Sequence, residues 1–447
     1  MPKLSRFVHV FDGGNMRKHF ALYHSVKLSP IFLERGTLGI INKLQEGLEL
    51  YNLSSEEVSF VKQLTELGFV VNSYSAENDL KEVVEGFRPR LSTMYLVVTD
   101  RCNLGCKYCF IEAGFPQDYV CNDMTWEIAK AGIDIFREQR DKSIGDCQIW
   151  FYGGEPLLMS DLLFQCLDYI AESDPDVTPV MVCNGTLISA NMAKRLSRYP
   201  QFQLTVSLDG PAGMHDQMRI FKSGHKSHAS VMRGVNNLKD AGVEFAVSCT
   251  LSEHNVNHVV EVAEWIAGET GSSSIGMNLL VDTPKEFVKE EYIRKANNGL
   301  IDFFKIARDK EIFENRILRK VNAFVSGKPR WHDCAACGSQ IVISPIGEIG
   351  ICHEGLGERN TFIGSVFKPF DFQDDPRIRE WCRRSPASMV DCHACDALGI
   401  CGGGCPYGSM LKHGSMWSID DRFCIHSKET LEWLIWDLYE KVTTSTV

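Results

Sequence analysis

The stretch Thr99-Asp-Arg-Cys-Asn-Leu-Gly-Cys-Lys-Tyr-Cys-Phe110 places three cysteines directly after the apolar run of residues 94–98. Cys102, Cys106 and Cys109 are spaced as Cys-x3-Cys-x2-Cys. Three thiolates this close in sequence can bind three irons of a [4Fe–4S] cluster and leave the fourth iron open to an exogenous ligand. The alternatives are a zinc site and three buried structural thiols, but zinc usually takes four ligands. The spacing therefore favours the iron–sulfur cluster.

The residue before the last of these cysteines is aromatic, Tyr108. With it, the triplet resembles the signature of the radical S-adenosylmethionine (SAM) superfamily. The resemblance implies that SAM binds the open iron through its amino and carboxylate groups, with Tyr108 among the cofactor-binding residues. It also implies that one electron from the cluster cleaves SAM to a 5′-deoxyadenosyl radical, which abstracts a hydrogen atom from the substrate.

The composition limits the classes of protein to which the chain can belong. Its 447 residues suggest about three domains, and a hydrophobic content of 44% is ordinary for a globular protein. The net charge of −11 argues against a nucleic acid or an anionic membrane as partner. No apolar run approaches the roughly 18 residues of a membrane span, and no signal peptide opens the sequence. The 17 cysteines then favour metal sites in a reducing compartment, so we expect a cytoplasmic protein.

From residue 94 onward, apolar runs alternate with helical patterns, which is typical of a parallel α/β architecture. Six runs are predicted strands: residues 94–99, 148–152, 179–183, 203–208, 244–250 and 275–281. Five stretches between them are predicted helices: residues 125–139, 162–172, 190–198, 229–241 and 256–267. Six such units agree with the partial (β/α)6 barrel that the superfamily resemblance implies. Chemistry collects at the carboxyl ends of the strands in parallel barrels, so we expect the site at those ends.

The second predicted strand ends in Gly153-Gly154-Glu155-Pro156. Glycines let the backbone approach a ligand closely, and the Glu155 carboxylate can accept hydrogen bonds from an ammonium group. The family's Gly-Gly-Glu-Pro motif holds the SAM amino group in this way, so the resemblance implies that role here. A plain tight turn is the alternative for the motif taken alone.

Polar residues also follow the third and fourth predicted strands. Asn184 is expected at the mouth of the barrel, lining the substrate or cofactor pocket, although Asn-Gly is equally a plain turn. Ser207 and Asp209 belong to a Ser-Leu-Asp-Gly sequence, and Arg219 follows them. Related enzymes carry a similar Ser-x-Asp-Gly with a following arginine, and the resemblance implies contacts of Ser207 and Arg219 with the SAM ribose and carboxylate. Asp209 either joins them at the cofactor or only caps the next loop.

Cysteine returns densely near the end of the chain. The run Cys392-x2-Cys395-x5-Cys401-x3-Cys405 is preceded by Cys337 and Cys352 and followed by Cys424. This seven-cysteine pattern resembles the SPASM domain, which implies two auxiliary [4Fe–4S] clusters and, with the barrel, three clusters in all. Cys334 is the candidate for an eighth ligand. A pair of zinc ribbons is the alternative.

The related sulfatase maturases imply how these cysteines are shared between the two auxiliary clusters. By their pattern the first cluster takes Cys334, Cys337, Cys352 and Cys405, and the second takes Cys392, Cys395, Cys401 and Cys424. In the alternative arrangement, Cys334 is a spectator and one iron stays open for substrate.

His353 directly follows one of these cysteines, at a position where the sulfatase maturases carry an aspartate as catalytic base. A proton-accepting, catalytic role for His353 is one interpretation, because histidine titrates near neutral pH. A structural role is the other. The departure from aspartate counts against sulfatase maturation. A predicted amphipathic helix at residues 428–439 is expected to pack on the SPASM domain.

Residues 1–90 contain no cysteine. Predicted strands at residues 6–11 and 20–26 flank a turn at 12–15, and two helices (37–48 and one opening at Ser54) precede a strand at 68–72. The combination suggests a winged-helix-like module. It resembles the leader-peptide recognition domain of several peptide-modifying radical enzymes, which takes its peptide as an added strand. A structural cap on the barrel is the alternative.

The sequence thus predicts four parts: a recognition module (1–90), a radical SAM partial barrel (91–282), a helical bridge (283–333) and a SPASM domain (334–447). The expected function is a radical SAM peptide maturase that crosslinks or otherwise oxidises a ribosomally made precursor peptide. Its electron donor would be a flavodoxin- or ferredoxin-like protein, with no nucleic-acid or membrane partner. The alternatives are an anaerobic sulfatase maturase, which forms formylglycine, and a non-catalytic iron–sulfur electron carrier.

Overall fold

The computed structural model describes residues 2–14, 17–47, 53–72 and 79–444. Its first strands form two small antiparallel sheets. One pairs β1 (Lys3–Leu4) with β5 (Val70–Val71), and the other has the order β2-β3-β4, with β2 (Val8–Phe11), β3 (His19–His24) and β4 (Ser29–Glu34). Three helices accompany these sheets: α1 (Leu38–Glu46), α2 (Ser55–Glu66) and α3 (Asp79–Glu85).

The β2–β3 hairpin and the helices α1 and α2 confirm the sequence prediction for this region. Ser54 caps α2 as expected, because its side chain accepts from the Glu57 amide while the Glu57 carboxylate accepts from the Ser54 amide. The prediction lacked β4, whose Pro30 interrupts the strand pattern. The predicted turn residue Asn15 and helix end Leu48 lie outside the described residues.

Six parallel strands follow, and neighbours in sequence are neighbours in the sheet. They are β6 (Thr93–Thr99), β7 (Cys147–Gly153), β8 (Val177–Cys183), β9 (Gln203–Ser207), β10 (Ala246–Thr250) and β11 (Ile275–Asn278). All six predicted strands are thereby confirmed, with small shifts at their ends. Their carboxyl ends lie along one edge, so the loops after β6 to β9 bring the candidate residues to the same side of the sheet.

Seven helices lie between and around these strands: α4 (Phe110–Ala113), α5 (Trp126–Gln139), α6 (Ser160–Ser173), α7 (Ala190–Leu196), α8 (Ala212–Met218), α9 (His228–Asp240) and α10 (Val259–Thr270). The five predicted helices correspond to α5, α6, α7, α9 and α10, whereas α4 and α8 were not predicted. In α5 the periodic apolar residues Ala129, Ile133 and Phe136 are buried, as expected for a helix that packs on a sheet.

The rest of the chain adds a second set of elements. These are α11 (Glu290–Asp309), α12 (Asn315–Ser326), β12 (Gln340–Ile343), β13 (Glu348–Gly350), β14 (Phe362–Ser365), α13 (Pro376–Arg383), α14 (Leu398–Cys401), α15 (Pro406–His413) and α16 (Asp421–Thr444). Strand β12 pairs in parallel with β6, and β13 and β14 continue the same sheet in antiparallel order. The barrel strands and the C-terminal cysteine region therefore share one nine-stranded sheet.

The last helix, α16, is longer than predicted and covers more than the C-terminal region. It packs on α11, α12 and α14, and its residues Leu431 and Ile435 share a buried cluster with Ala21 and Tyr23 of β3. The other face of β3 enters the core formed with α1 and α2. The prediction that this helix packs on the C-terminal region was thus incomplete, because β3 is apolar on both faces. Among the described residues, no helix has both the length and the apolarity that a membrane span needs.

Candidate active site

The loop between β6 and α4 carries three cysteines that we call the barrel thiols: Cys102, Cys106 and Cys109. The segment after α8 holds this loop in place, since the Gly105 amide donates to the Ile220 carbonyl at 2.8 Å. Burial raises the pKa of the Cys102 thiol to about 12, and the other two barrel thiols contribute to the increase. The three thiols therefore lie close enough to influence one another.

Gly153 and Gly154, at the end of β7, lie directly against the backbone of this loop. A Cβ on Gly153, whose φ is +133°, would stand 2.0 Å from the Thr99 carbonyl oxygen, and one on Gly154 would stand 2.1 Å from that of Arg101. The Gly154 and Glu155 amides donate to these same two carbonyls, each at 2.9 Å. The two glycines are therefore needed because the backbone at the start of the cysteine loop packs directly against them. The sequence had suggested a different reason, the close approach of a ligand.

The Glu155 carboxylate is buried and anchored from two sides. It accepts from the Asn184 amide at 2.7 Å and from the Leu157 amide at 3.0 Å, and burial raises its pKa to about 7. The Asn184 side chain in turn donates to the Asn103 side-chain oxygen at 2.8 Å. Two predicted residues, Glu155 and Asn184, are thus joined to the thiol loop. Asn103 was missed, although its position inside the cysteine triplet was a signal.

Asp209 lies at the centre of a second set of contacts. One of its carboxylate oxygens accepts from Arg219 Nε at 3.0 Å and from the Tyr108 hydroxyl, and the other accepts from the Thr250 amide at 2.9 Å. The Arg219 guanidinium also lies 5.3 Å from the centre of the Tyr108 ring. Burial raises the pKa of the Cys106 thiol to about 11, while the charge of Arg219 acts in the opposite direction. Three predicted residues therefore meet beside a barrel thiol.

Ser207 is the last residue of β9 and is buried. It is paired in register with Ser248 of β10. Its position at a strand end agrees with the place that the sequence predicted, one strand further along the sheet than Asn184.

An aromatic group lies between β6, β7 and the segment after β13. The His353 ring stacks on Tyr95 with centres 4.4 Å apart and meets Tyr152 edge-on at 5.1 Å. Its Nδ1 is buried and has no hydrogen-bond partner among the described residues, and burial lowers the pKa of the imidazole to about 4. Sequence reasoning missed both tyrosines. Their signal was the alternation of side chains along β6 and β7, which places aromatic residues of the two strands on one face of the sheet.

Eight of the nine cysteines from residue 334 onward form two groups of four, and the ninth, Cys382, is buried outside them. The first auxiliary group consists of Cys334, Cys337, Cys352 and Cys405. Burial raises the pKa of all four thiols. Neighbouring thiols add to this effect, with Cys334 acting on Cys337 and Cys352, and Cys352 acting on Cys405. Cys405 thus lies close enough to Cys352 for the two thiols to influence each other, and its assignment to the first cluster stays a prediction.

The second auxiliary group lines a single cavity. It consists of Cys392, Cys395, Cys401 and Cys424. Apolar residues, including Met389, Leu398 and Ile419, complete the wall. Burial raises the pKa of the Cys392, Cys395 and Cys424 thiols, and the Cys401 thiol raises them further. The second group therefore contains the same four cysteines as one of the two ligand sets implied by the sulfatase-maturase pattern.

The thiols surround spaces and do not converge on a point. In the described part of the chain, no group of three or more His, Cys, Asp or Glu side chains is placed to hold a single metal ion. A four-iron cluster binds its thiolates at separate corners, so it needs a cavity with thiols around it, which the second auxiliary group provides. Thiolates are also the usual ligands of such clusters. All three cysteine groups thus fit [4Fe–4S] clusters in donor type, and the second auxiliary group fits one in its arrangement around a cavity as well.

Comparison with known proteins identifies the barrel. Residues 96–266 match the model of the radical SAM superfamily. The radical SAM cyclopropyl synthase TigE of Paramaledivibacter caminithermalis is 23% identical to this chain over an alignment of 457 positions. The alignment covers 94% of this chain and 93% of that protein.

Two solved structures share the fold. The structure of polyhistidine-tagged anSMEcpe with bound AdoMet has a TM-score of 0.67 at 20% identity, covering 80% of this chain and 96% of that one. Streptococcus suis SuiB bound to the precursor peptide SuiA has a TM-score of 0.57 at 16% identity, covering 95% and 100%. A radical SAM domain implies one [4Fe–4S] cluster and SAM, which agrees with the barrel thiols lying beside Glu155 and Arg219. Residues 96–266 therefore form a radical SAM domain.

Proposed function

We propose that the protein is a radical SAM peptide maturase with a C-terminal SPASM domain, which forms an oxidative crosslink or another side-chain modification in a ribosomally made precursor peptide. The observation that carries the proposal is the division of 11 cysteines into groups of three, four and four. A simple radical SAM barrel needs only the first group. The two further groups suit an enzyme that must also remove an electron from its product.

When bound, the barrel cluster and SAM would supply a radical that abstracts a hydrogen atom, and two auxiliary clusters would accept the electron left on the product. The chain's own residues would position SAM. Glu155 would receive its amino group, because the buried carboxylate keeps lone pairs beyond the two amides that it binds. Arg219, held by Asp209, would face its carboxylate, and Ser207 and Asn184 would line the same pocket with Tyr108, Gly153 and Gly154.

His353 is the candidate proton acceptor in this scheme. Its unpartnered Nδ1 is enclosed with Tyr95 and Tyr152 of the barrel strands, and its neighbour Cys352 belongs to the first auxiliary group. Because burial lowers its pKa to about 4, the imidazole is neutral at pH 7 and would accept a substrate proton only transiently, next to the place where the electron is taken up. Replacement H353F keeps an aromatic ring in the stack, so loss of product with unchanged SAM cleavage would support a catalytic role over a structural one.

A peptide substrate is suggested by the N-terminal region. Within the described residues, β2 and β4 each pair only with β3, so each offers an outer edge to which an extended peptide could add. The match to SuiB, whose structure holds a precursor peptide, covers 95% of this chain, whereas the match to anSMEcpe covers 80%. Residues 1–90 would be the recognition module, ahead of the barrel (91–282), the bridge (283–333) and the SPASM domain (334–447).

The test uses anaerobically purified full-length protein, reduced through a flavodoxin- or ferredoxin-like donor. We expect about 12 irons per chain, from three four-iron clusters, together with 5′-deoxyadenosine and a mass change in a precursor peptide encoded beside the gene. The variant with Cys102, Cys106 and Cys109 replaced by alanine is the control and should form neither product. SAM cleavage without a mass change in any such peptide would refute the peptide-maturase proposal.

Sulfatase maturation is the second candidate, because a cysteine-type anaerobic sulfatase-maturating enzyme of Clostridium perfringens is 27% identical over 188 residues, which cover 39% of this chain. It would give formylglycine on a Cys-x-Pro-x-Arg peptide, which the first proposal does not expect. A non-catalytic electron carrier would show full cluster content without SAM cleavage. The proposed location for each of these activities is the cytoplasm, without a nucleic-acid or membrane partner.

A further inference from the structure

Arg384 is a fully buried cation that is bound only by neutral oxygens. Its Nε donates to the Met416 carbonyl at 2.6 Å, one terminal nitrogen donates to the Gly403 carbonyl, and the other donates to the Ser409 hydroxyl at 3.2 Å and the Ser418 carbonyl at 3.1 Å. A guanidinium stays charged in proteins. Its donors are therefore satisfied while its charge has no partner among these atoms.

The other deeply buried arginines of the described chain are balanced differently. Arg140 is paired with Asp174 at 2.7 Å, and Arg422 with Asp420 at 3.0 Å. No carboxylate among the described residues makes such an ion pair with Arg384. Burying an ion without a counter-charge is expensive, so a nearby anion is expected in the working protein.

The surroundings of Arg384 indicate where that anion is. The carbonyls of Gly403 and Gly404, which it binds, belong to the segment that joins Cys401 of the second auxiliary group to Cys405 of the first. Gly404 directly precedes Cys405 of the first group, and Gly403 lies two residues after Cys401 of the second. Arg384 thus lies within electrostatic range of both groups.

The glycine run at residues 402–404 makes room for the contact between Arg384 and the Gly403 carbonyl. Gly402, Gly403 and Gly404 all have positive φ, at 72°, 85° and 71°, which other residues rarely adopt. A Cβ on Gly403 would lie 3.0 Å from an Arg384 nitrogen. In the structure, the space beside Gly403 is taken by the guanidinium.

We propose that Arg384 is the shared counter-cation of the two auxiliary clusters and raises the reduction potentials of both. Four thiolates leave a [4Fe–4S] cluster anionic, and net charge and solvent exposure are among the factors that set its potential. A fixed positive charge between two such clusters favours the reduced, more negative form of each. Both clusters would then accept an electron more readily. The inference rests on the auxiliary clusters of the proposed function.

The first test is a redox titration followed by electron paramagnetic resonance in the full-length, cluster-loaded protein. R384Q should lower both auxiliary potentials, by about tenfold in the reduction equilibrium, which is 59 mV for one electron, and should leave the barrel cluster unchanged. The matched control is R383Q, which removes the same charge from the adjacent exposed residue and should shift neither. Unchanged auxiliary potentials in a fully loaded R384Q protein would overturn the proposal.

A second pair of variants keeps the arginine, in case its loss prevents loading. S409D places a carboxylate at a hydroxyl that already accepts from Arg384 and so neutralises the charge in place, whereas S409N has nearly the same shape without charge. S409D should lower both auxiliary potentials relative to S409N. Equal potentials in the two variants would reject the role of charge. A wild-type protein with only about four irons would instead refute the proposed cluster set, so the two failures are distinguishable.

Discussion

Arg219 and Asp209 form a buried ion pair beside the barrel thiols, with Nε and Oδ2 3.0 Å apart. The aspartate side chain is 1% exposed and the arginine 11%. Asp209 receives donors from three other residues, Arg219, Tyr108 and Thr250. The pair therefore fixes in place a cation at this end of the barrel that could face an anionic ligand group.

The variant D209N should be strongly destabilised, because an amide turns one acceptor into a donor facing donors and leaves Arg219 unpaired. Breaking a buried pair in this way costs about 3–5 kcal/mol. Denaturant unfolding would measure the loss, and the affinity for SAM should fall with it. The exposed Asp240 provides the control D240N, which should be neutral. A D209N protein as stable as D240N would contradict the role assigned to this pair.

The variant G153A should disrupt the barrel cluster. An added Cβ would stand 2.0 Å from the Thr99 carbonyl oxygen at a φ unfavourable to alanine, so the thiol loop has to move. We expect the iron content to fall by about four atoms per chain, one cluster, while the two auxiliary groups stay loaded. Gly145 has open space around its Cα, and G145A should retain all iron. Full loading of G153A would show that the loop accommodates the methyl group.

The buried Glu155 predicts a pH dependence of stability. Burial raises the pKa of this carboxyl from 4.5 to about 7, so between these values the folded protein binds more protons than the unfolded chain. Wild-type stability then decreases as the pH rises from 4.5 to 7 and is flat above, whereas E155Q lacks this term. Between pH 4.5 and 7, the unfolding free energy of E155Q should therefore rise by about 3 kcal/mol relative to that of the wild type.

The measurement for this prediction is urea unfolding without SAM at several pH values. The exposed Glu138 supplies the control E138Q, which removes a carboxyl group without removing a buried one. A constant difference for E155Q would mean that the carboxylate is ionised throughout and fully balanced by the amides of Leu157 and Asn184.

The variant W436A should loosen the N-terminal sheet from the rest of the protein. Trp436 is 8% exposed. Arg17 lies 4.0 Å over its ring, and Phe32 of β4 packs beside it. Removing a buried tryptophan costs about 3–5 kcal/mol. Limited proteolysis should cut within residues 1–90 faster while iron content stays constant. The control is W417A, at a residue that is 39% exposed. Equal cleavage rates in the two variants would argue against a docking role.

Local patterns predicted most of the fold and part of the site. The strands β6 to β11 were found because each is a short apolar run bounded by polar residues. Glu155 and the cysteines were found because motif spacing is visible in sequence. The central position of Asp209 and the role of Gly153 were not, since both depend on contacts between segments that only the folded chain brings together. Strand β4 was not predicted because Pro30 interrupts its pattern. The packing of α16 on β3 was not predicted because the sequence carries no signal for contacts between such distant segments.

The burial of β3 on both faces has a consequence for biosynthesis. Ala21 and Tyr23 are covered by Leu431 and Ile435, which are synthesised about 400 residues later in the chain. The nascent protein therefore carries an uncovered apolar strand face until α16 has been synthesised. Contacts of such separation close slowly, and exposed apolar surface invites aggregation. A host that lengthens translation, or a chain cut short before α16, should thus depend on chaperones more than a barrel of this size otherwise would.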